Sequence, residues 1–119
     1  MIKTSIPVNF RSTSDGWRGK LAENFTFENV GLLGQAISRY ISNNSYPKQI
    51  VIGYDTRFMS KEFAVFLSKL FSGNGIDVYL IKDPCATPLL TFTTINTGSK
   101  LGLTITASHN PIFDDGVKI

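Results

Sequence analysis

The chain has 119 residues, of which 42% are hydrophobic and 18% are charged. This is the size of one domain with enough apolar side chain for a packed core, which excludes an intrinsically disordered chain. No run of about 20 apolar residues is present to cross a membrane. The formal net charge is +3, but the 12 Lys and Arg residues are scattered, which argues against a nucleic-acid-binding protein.

The first residues show no sign of export. Residues 1–7 contain one lysine and are interrupted by Pro7, without the apolar core of a secretory signal peptide. Cys85 is the single cysteine, so no internal disulfide and no cysteine-based zinc site are predicted. These features favour a cytoplasmic protein. Residues 3–10 are predicted to be extended.

A polar segment and an amphipathic segment follow. Residues 12–19 are polar and contain two glycines, which predicts a loop or a hairpin arm. Over residues 27–41 apolar side chains recur at three- and four-residue spacing, the pattern of one helix face. Thr26 or Asn24 is available to cap this first helix.

The middle of the chain alternates between strand and helix patterns. Residues 49–54 are rich in Ile and Val, which predicts a buried strand. Ser60 is a candidate cap for a second helix, and the Gly-Asn-Gly sequence at residues 73–75 predicts its left-handed end. Residues 76–81 predict another strand.

The last third predicts one more helix and one more strand. Thr87 is a candidate cap, with Pro88 at the first helical position, although the β-branched residues within 91–95 disfavour this third helix. Residues 101–106 alternate as a strand does and lead into a polar loop. This succession predicts an α/β fold, a three-layer α/β/α sandwich with a mostly parallel (mixed) sheet, formed by residues 1–119 as a single domain.

Ser108 directly follows the last of these strands. Pro111 disfavours the helical conformation at Asn110, which keeps the loop extended and presents the serine hydroxyl. A serine is a weak nucleophile that needs a base, a metal ion or a prior modification, and His109, the single histidine, is a candidate base. Adjacent side chains in extended backbone point in opposite directions, so a hydrolase-type pair is geometrically poor. A purely structural turn is the alternative.

Several segments together resemble one enzyme family. Residues 106–111 read Thr-Ala-Ser-His-Asn-Pro and look like the active-site serine loop of the α-D-phosphohexomutases, the phosphoglucomutase/phosphomannomutase family. Residues 14–19, followed by 24–30, resemble the family's N-terminal signature. Residues 53–57 resemble its next loop, and residues 116–119 the segment beyond the serine. The resemblance spans essentially the whole chain.

The resemblance implies a phosphoserine enzyme. Ser108 would pass a phosphoryl group to a hexose phosphate substrate, form hexose 1,6-bisphosphate, and take the other phosphoryl group back, so that hexose 1-phosphate and hexose 6-phosphate interconvert. It also implies Mg²⁺, bound by a phosphoserine oxygen of Ser108 and by three aspartates of a later loop. Lys118 matches the family's general acid/base, Arg18 an arginine that reaches the phosphoserine, and His109 a support of the serine loop that shares proton transfer.

Two further pairs of residues enter through the resemblance. Asp55 and Arg57 look like organisers of the loop network through an ion pair, without a part in the reaction. Asp114 and Asp115 lie where the family often has Tyr-Asn or Asp-Asn before the glycine. They are expected to add negative charge beside the transferring phosphate.

Family members have four domains, and this chain resembles the first. The remaining domains of the parent chain are therefore its expected partners, and the isolated chain is expected to be inactive. The alternative is a non-catalytic phosphate- or nucleotide-binding α/β module, in which residues 108–110 and a helix N-terminus simply bind an anion.

Overall fold

A computed structural model describes residues 12–119, which form one sheet of six strands and three helices. The extended segment predicted for residues 3–10 lies outside this described range. In chain order the elements are β1 (Ser12–Thr13), β2 (Gly16–Lys20), α1 (Phe27–Asn43), β3 (Gln49–Tyr54), α2 (Ser60–Gly73), β4 (Asp77–Leu80), α3 (Thr87–Asn96), β5 (Gly102–Ile105) and β6 (Asp114–Lys118). Over this range no helix has the length and apolar character to span a bilayer.

The sheet has the strand order β1-β2-β6-β5-β3-β4 and combines both kinds of pairing. β3 runs parallel to both β4 and β5, and helical crossovers make the connections between them. The pairs β1–β2, β2–β6 and β5–β6 are antiparallel. The α/β class and the mixed sheet are confirmed, with parallel order confined to β3, β4 and β5.

The first helix begins where the sequence predicts. Thr26 is the N-cap of α1, and its side chain accepts a hydrogen bond of 3.2 Å from the Asn29 backbone amide. Val30, Ile37 and Ile41 form the buried stripe of α1, which packs against α2. In turn α2 lies across β3, β4 and β5, so these two helices form one outer layer.

The second helix differs from prediction at its start. Ser60 is the first helical residue and not the cap, a position taken by Met59 in the left-handed conformation with φ 65°. The Ser60 hydroxyl instead points into the protein, as described below. The predicted helix end is confirmed, because Asn74 is the C-cap and Gly75 has φ 74°, a conformation that glycine adopts without steric cost.

The third helix forms the opposite layer of the sandwich. It packs against β3 and β5, and a Cβ atom built on Gly53 of β3 would lie 3.2 Å from Leu90 of α3. The preceding Ile52 belongs instead to the core shared with α2, as expected for successive strand residues. Thr87 is the first helical residue and Ala86 the cap, one residue from the prediction. The three-layer arrangement is confirmed.

An aromatic cluster ties the β1–β2 hairpin to the helical layer. Trp17 of β2 stacks on Phe25 with ring centroids 5.1 Å apart, and Phe25 meets Phe63 of α2 edge-on at 4.7 Å. Trp17 and Phe25 are both buried. The tryptophan therefore packs in the core, and it fixes the strand that carries Arg18.

Candidate functional site

Ser108 lies on the loop that follows β5 and is exposed. Its backbone is left-handed, with φ 55°, a conformation that costs a non-glycine residue about 1 kcal/mol or more. The Ser108 amide donates to the Thr106 hydroxyl at 3.0 Å. The Ser108 Oγ lies 3.5 Å from His109 Nδ1, the outer limit of a hydrogen bond. The two side chains are neighbours, at a distance longer than that of a well-formed hydrogen bond.

Arg57 holds the backbone of this loop. Its Nη2 donates to the carbonyl oxygens of Ser108 and Asn110, both at 2.7 Å. Its Nη1 donates to Pro111 O at 2.8 Å and to Asp114 O at 3.2 Å. One planar guanidinium thus binds four carbonyl groups of residues 108–114, which fixes the course of the loop around the serine.

Asp55 orients Arg57 in turn. Its Oδ1 accepts the Arg57 backbone amide at 2.8 Å, and its Oδ2 lies 3.5 Å from Arg57 Nε. The predicted ion pair is present. Asp55 Oδ1 is also 2.9 Å from the Ser60 hydroxyl, which lies 2.8 Å from Asp115 Oδ2. The sequence analysis did not predict the contact between Ser60 and Asp115, since nothing local in the sequence indicates that β6 and the start of α2 meet.

Asp115 is completely buried. Burial raises the pKa of Asp115 to about 6, although the hydrogen bonds with Ser60 and with the Gly116 amide oppose the shift. The Asp115 side chain is buried and faces Ser60, contrary to the expectation that it lies beside the transferring phosphate. Asp114 accepts a hydrogen bond of 3.1 Å from the Asn110 side chain, so its carboxylate helps to close the loop.

Asp115→Asn is expected to stabilise the protein selectively at higher pH. Because the folded-state pKa of Asp115 is raised to about 6 from 3.8, the contribution of the protonated acid is complete below the ordinary pKa and is lost as pH rises through about 6. Asparagine keeps a neutral group there. The difference in free energy of unfolding between Asp115→Asn and wild type should increase in favour of the variant by up to about 3 kcal/mol from pH 4 to pH 8. Urea titrations at both pH values measure this, and a pH-independent difference would contradict it.

Arg18 and Lys118 meet at a different carboxylate. Lys118 Nζ lies 3.1 Å and Arg18 Nη2 3.9 Å from Asp15 Oδ2. A hydrogen bond from the Thr13 hydroxyl, followed by the hydrogen bond and charge of Lys118, lowers the pKa of Asp15. The hairpin that carries Asp15 thus gathers both cations on one face of the sheet.

The four predicted catalytic residues consequently form two pairs. Ser108 and His109 lie on the β5–β6 loop, whereas Arg18 and Lys118 project from β2 and β6. Within residues 12–119 no hydrogen bond or ion pair joins one pair to the other. The link is through backbone, because the Thr106 amide donates to Gly116 O at 2.9 Å and Gly116 is paired with Arg18.

Gly116 lets the strands and the serine loop approach closely. A Cβ atom built there would lie 2.7 Å from Trp17 O, 2.8 Å from Arg18 Cγ and 2.8 Å from Thr106 O. Two of these atoms are backbone, so the structure cannot relax by moving a side chain alone. Glycine is thus required where the Arg18 side chain crosses β6.

Gly116→Ala is therefore expected to lower the free energy of unfolding by about 2–4 kcal/mol through backbone overlap. Gly73→Ala is the matched control. A Cβ atom at Gly73, the last residue of α2, would meet nothing within 4 Å, so that variant should differ from wild type by less than about 1 kcal/mol. Equal effects of the two substitutions in chemical denaturation would contradict this explanation.

A cleft of about 780 Å³ lies beside Ser108. Phe58, Ile112 and Phe113 contribute apolar walls and are 74%, 77% and 66% exposed. Lys20 contributes a cation to the same cleft. The sequence interpretation missed these four residues, because apolar residues in a loop and a lone lysine give no signal by spacing. A cleft with apolar walls, the cations of Lys20 and Arg57 and an exposed serine suits a polar ligand with an apolar face.

The donor set for a metal ion is incomplete among the described residues. Over 12–119 no group of three or more His, Cys, Asp or Glu side chains is placed to hold a metal ion. Mg²⁺ prefers an octahedral set of oxygen ligands. A phosphorylated Ser108 would supply one oxygen ligand to such a set.

Comparison with known proteins gives a consistent match. Residues 11–119 match the family model described as phosphoglucomutase/phosphomannomutase, alpha/beta/alpha domain I. Phosphoglucosamine mutase of Lawsonia intracellularis is 36% identical over 107 residues, which are 89% of this chain and 24% of that protein. Phosphoglucosamine mutase of Nitratidesulfovibrio vulgaris is 38% identical over 106 residues, 88% of this chain and 23% of that protein.

A solved structure agrees with these relatives. The crystal structure of a Thermus thermophilus protein proposed to be a phosphomannomutase superposes with a TM-score of 0.87 at 38% identity. The match covers 92% of this chain and 25% of that one. The chain thus spans about a quarter of the length of the relatives it matches. It belongs to the phosphoglucomutase/phosphomannomutase family, the α-D-phosphohexomutases, and corresponds to their domain I.

Proposed function

We propose that Ser108 is the phosphoryl carrier of a phosphohexomutase, and that the complete protein interconverts hexose 1-phosphate and hexose 6-phosphate. The placement of Ser108 carries this proposal. The residue is exposed beside the cleft, in a left-handed backbone conformation, while Arg57 binds the carbonyl groups on either side of the turn. A reactive group held in this way needs little reorganisation before transfer.

The proposed reaction conserves both phosphoryl groups. The bond between phosphorus and Ser108 Oγ breaks as phosphorus bonds to a hydroxyl oxygen of the hexose monophosphate, which gives hexose 1,6-bisphosphate. The hydroxyl proton leaves the sugar, and the Ser108 oxygen takes up a proton. Return of the other phosphoryl group regenerates phosphoserine and releases the isomeric monophosphate.

Proton transfer falls to two side chains. Lys118 is proposed to exchange the proton of the sugar hydroxyl, since its side chain is partly exposed and is held by Asp15. His109 is proposed to serve the Ser108 oxygen, because its Nδ1 is 3.5 Å away. In this arrangement Lys118 serves the sugar oxygen that receives the phosphoryl group, and His109 serves the serine oxygen that releases it.

Positive charge supports binding of phosphorylated sugars. Arg18 presents a planar guanidinium that suits phosphate oxygens, and Lys20 lines the cleft beside Ser108. The names of the relatives, phosphoglucosamine mutase and phosphomannomutase, have hexose phosphates in common. Bound Mg²⁺ would neutralise charge on the transferring group, and Ser108 would supply one phosphoserine oxygen to it. Because the chain spans about a quarter of its relatives, we expect the chain alone not to turn over substrate.

Phosphopeptide mapping of the complete natural protein tests the proposal. The protein is purified from cells, and the peptide containing Ser108 is weighed before and after incubation with hexose monophosphate. We expect a phosphoryl group on Ser108 that leaves when the sugar is added. A Ser108 that is unmodified and that hexose 1,6-bisphosphate cannot charge would overturn the proposal in favour of a phosphate-binding module without catalysis.

A further inference from the structure

Ser60 lies between two carboxyl groups in the interior of the protein. It is completely buried, and its Oγ is 2.9 Å from Asp55 Oδ1 and 2.8 Å from Asp115 Oδ2. A serine hydroxyl has one proton to donate. Both contacts can therefore be hydrogen bonds only when one carboxyl group is protonated and donates to Ser60 Oγ.

The two carboxyl groups have different surroundings. Asp55 accepts the Arg57 amide and faces the Arg57 guanidinium, so it is the ionised partner. Asp115 is fully buried, and its Oδ1 accepts the Gly116 amide at 2.9 Å, which leaves Oδ2 to carry a proton toward Ser60. Burial, which raises the pKa of Asp115 to about 6, favours the same assignment.

Further hydrogen bonds connect these buried groups to the loop that carries Ser108. We propose that Asp115 is a positioning residue for Ser108: as a neutral acid it donates to Ser60, Ser60 donates to Asp55, and Asp55 orients the arginine that holds the serine loop. The effect of Asp115 on the order of the loop does not depend on what Ser108 does. Its meaning for catalysis rests on the proposed function of Ser108 as phosphoryl carrier.

Ionisation of Asp115 would break this chain of bonds. The charged groups that face it are Asp55, whose charge opposes ionisation, and Arg57, whose charge favours it. Lys61 and Glu62, in the first turn of α2, are exposed, and the β2 residue paired with Asp115 is Gly19. With two carboxylates and one hydroxyl proton, only one of Asp55 and Asp115 keeps its bond to Ser60. When Ser60 turns to an ionised Asp115, Asp55 loses a donor and its hold on Arg57 weakens.

The first test follows the protonation state of Asp115 in the complete natural protein. Carbon-13 NMR of the aspartate carboxyl groups is recorded from about pH 4 to pH 8, with Asp115→Asn used to assign the Asp115 signal. We expect the Asp115 signal to titrate above the ordinary range of an aspartate carboxyl group. An Asp115 that is ionised throughout this range would overturn the proposal.

The second test follows the loop. The amides of Ser108, Asn110 and Asp114 are hydrogen-bonded within it, so their hydrogen-exchange protection, corrected for intrinsic rate, reports loop order. In wild type we expect protection to fall about two- to tenfold from pH 5 to pH 8, the worth of one hydrogen bond. In Asp115→Asn the protection of these amides should stay high and independent of pH, because the side-chain amide of Asn still donates to Ser60.

Glu62→Gln is the matched control, since it removes a carboxylate from an exposed position of the same helix turn. It should keep the wild-type pH profile. A profile in Asp115→Asn that falls as the wild-type profile does would overturn the proposal. None of these readouts uses mutase turnover, so they stand or fall separately from the assignment of Ser108 as carrier.

Discussion

Ser108→Ala is expected to lower the mutase turnover of the complete protein by at least about 10³-fold, the scale seen when a covalent carrier is removed. The fold should survive, because Ser108 is exposed and its hydroxyl contacts only His109 among the described side chains. Steady-state kcat with hexose monophosphates measures the loss. The free energy of unfolding should remain within about 0.5 kcal/mol of wild type.

Ser72→Ala is the control for this substitution. Ser72 is also exposed, near the end of α2 and outside the cleft-lining residues. Its loss should leave kcat within about twofold of wild type. Near-normal turnover by Ser108→Ala would rule out the serine as carrier, and a loss shared by Ser72→Ala would mean that the assay reports folding.

Arg57→Ala is expected to have the largest combined effect on stability and activity. It leaves four carbonyl groups of the serine loop without their donor and Asp55 without its cation. We expect the free energy of unfolding to fall by about 2–4 kcal/mol. The rate at which hexose 1,6-bisphosphate charges Ser108 should fall by about 100-fold, because a misplaced reacting atom costs about this much.

Arg57→Lys separates charge from geometry. Lysine keeps the positive charge opposite Asp55 but lacks the planar fork that binds several carbonyl groups at once. It should recover part of the stability and little of the charging rate. Arg39→Ala, which removes an exposed arginine of α1, controls for the change in net charge. Charging of Arg57→Ala at the wild-type rate would show that the loop keeps its form without the arginine.

The helices and the central strands could be predicted because their signals are local. The apolar spacing after Phe27 and the Ile/Val-rich run at Gln49–Tyr54 predict α1 and β3 close to their observed limits. The sheet order depends on which strands pair across long distances in sequence. The antiparallel half, in which β6 lies between β2 and β5, has no counterpart in local periodicity.

The candidate site divides in the same way. Ser108 and His109 were available from the loop sequence, and Arg18 and Lys118 from the resemblance. The structure places the first two on the β5–β6 loop and the other two in β2 and β6. Ser60 was misread as a helix cap, because a serine before an apolar helical pattern usually caps it. Its true partners, Asp55 and Asp115, are 5 and 55 residues away. Only the tertiary fold shows that a buried hydroxyl joins them.

The hydrogen bonds from Arg57 to the loop that carries Ser108 also bear on when this loop takes its conformation during folding. These bonds join residues 51 to 57 positions apart, and they require β3 and β5 to be side by side. Such distant contacts form late, after chain-closure entropy has been overcome. A newly made or partly unfolded chain therefore presents Ser108 on an unconstrained backbone. We therefore expect sugar bisphosphate to phosphorylate Ser108 in the folded protein and not in the nascent chain.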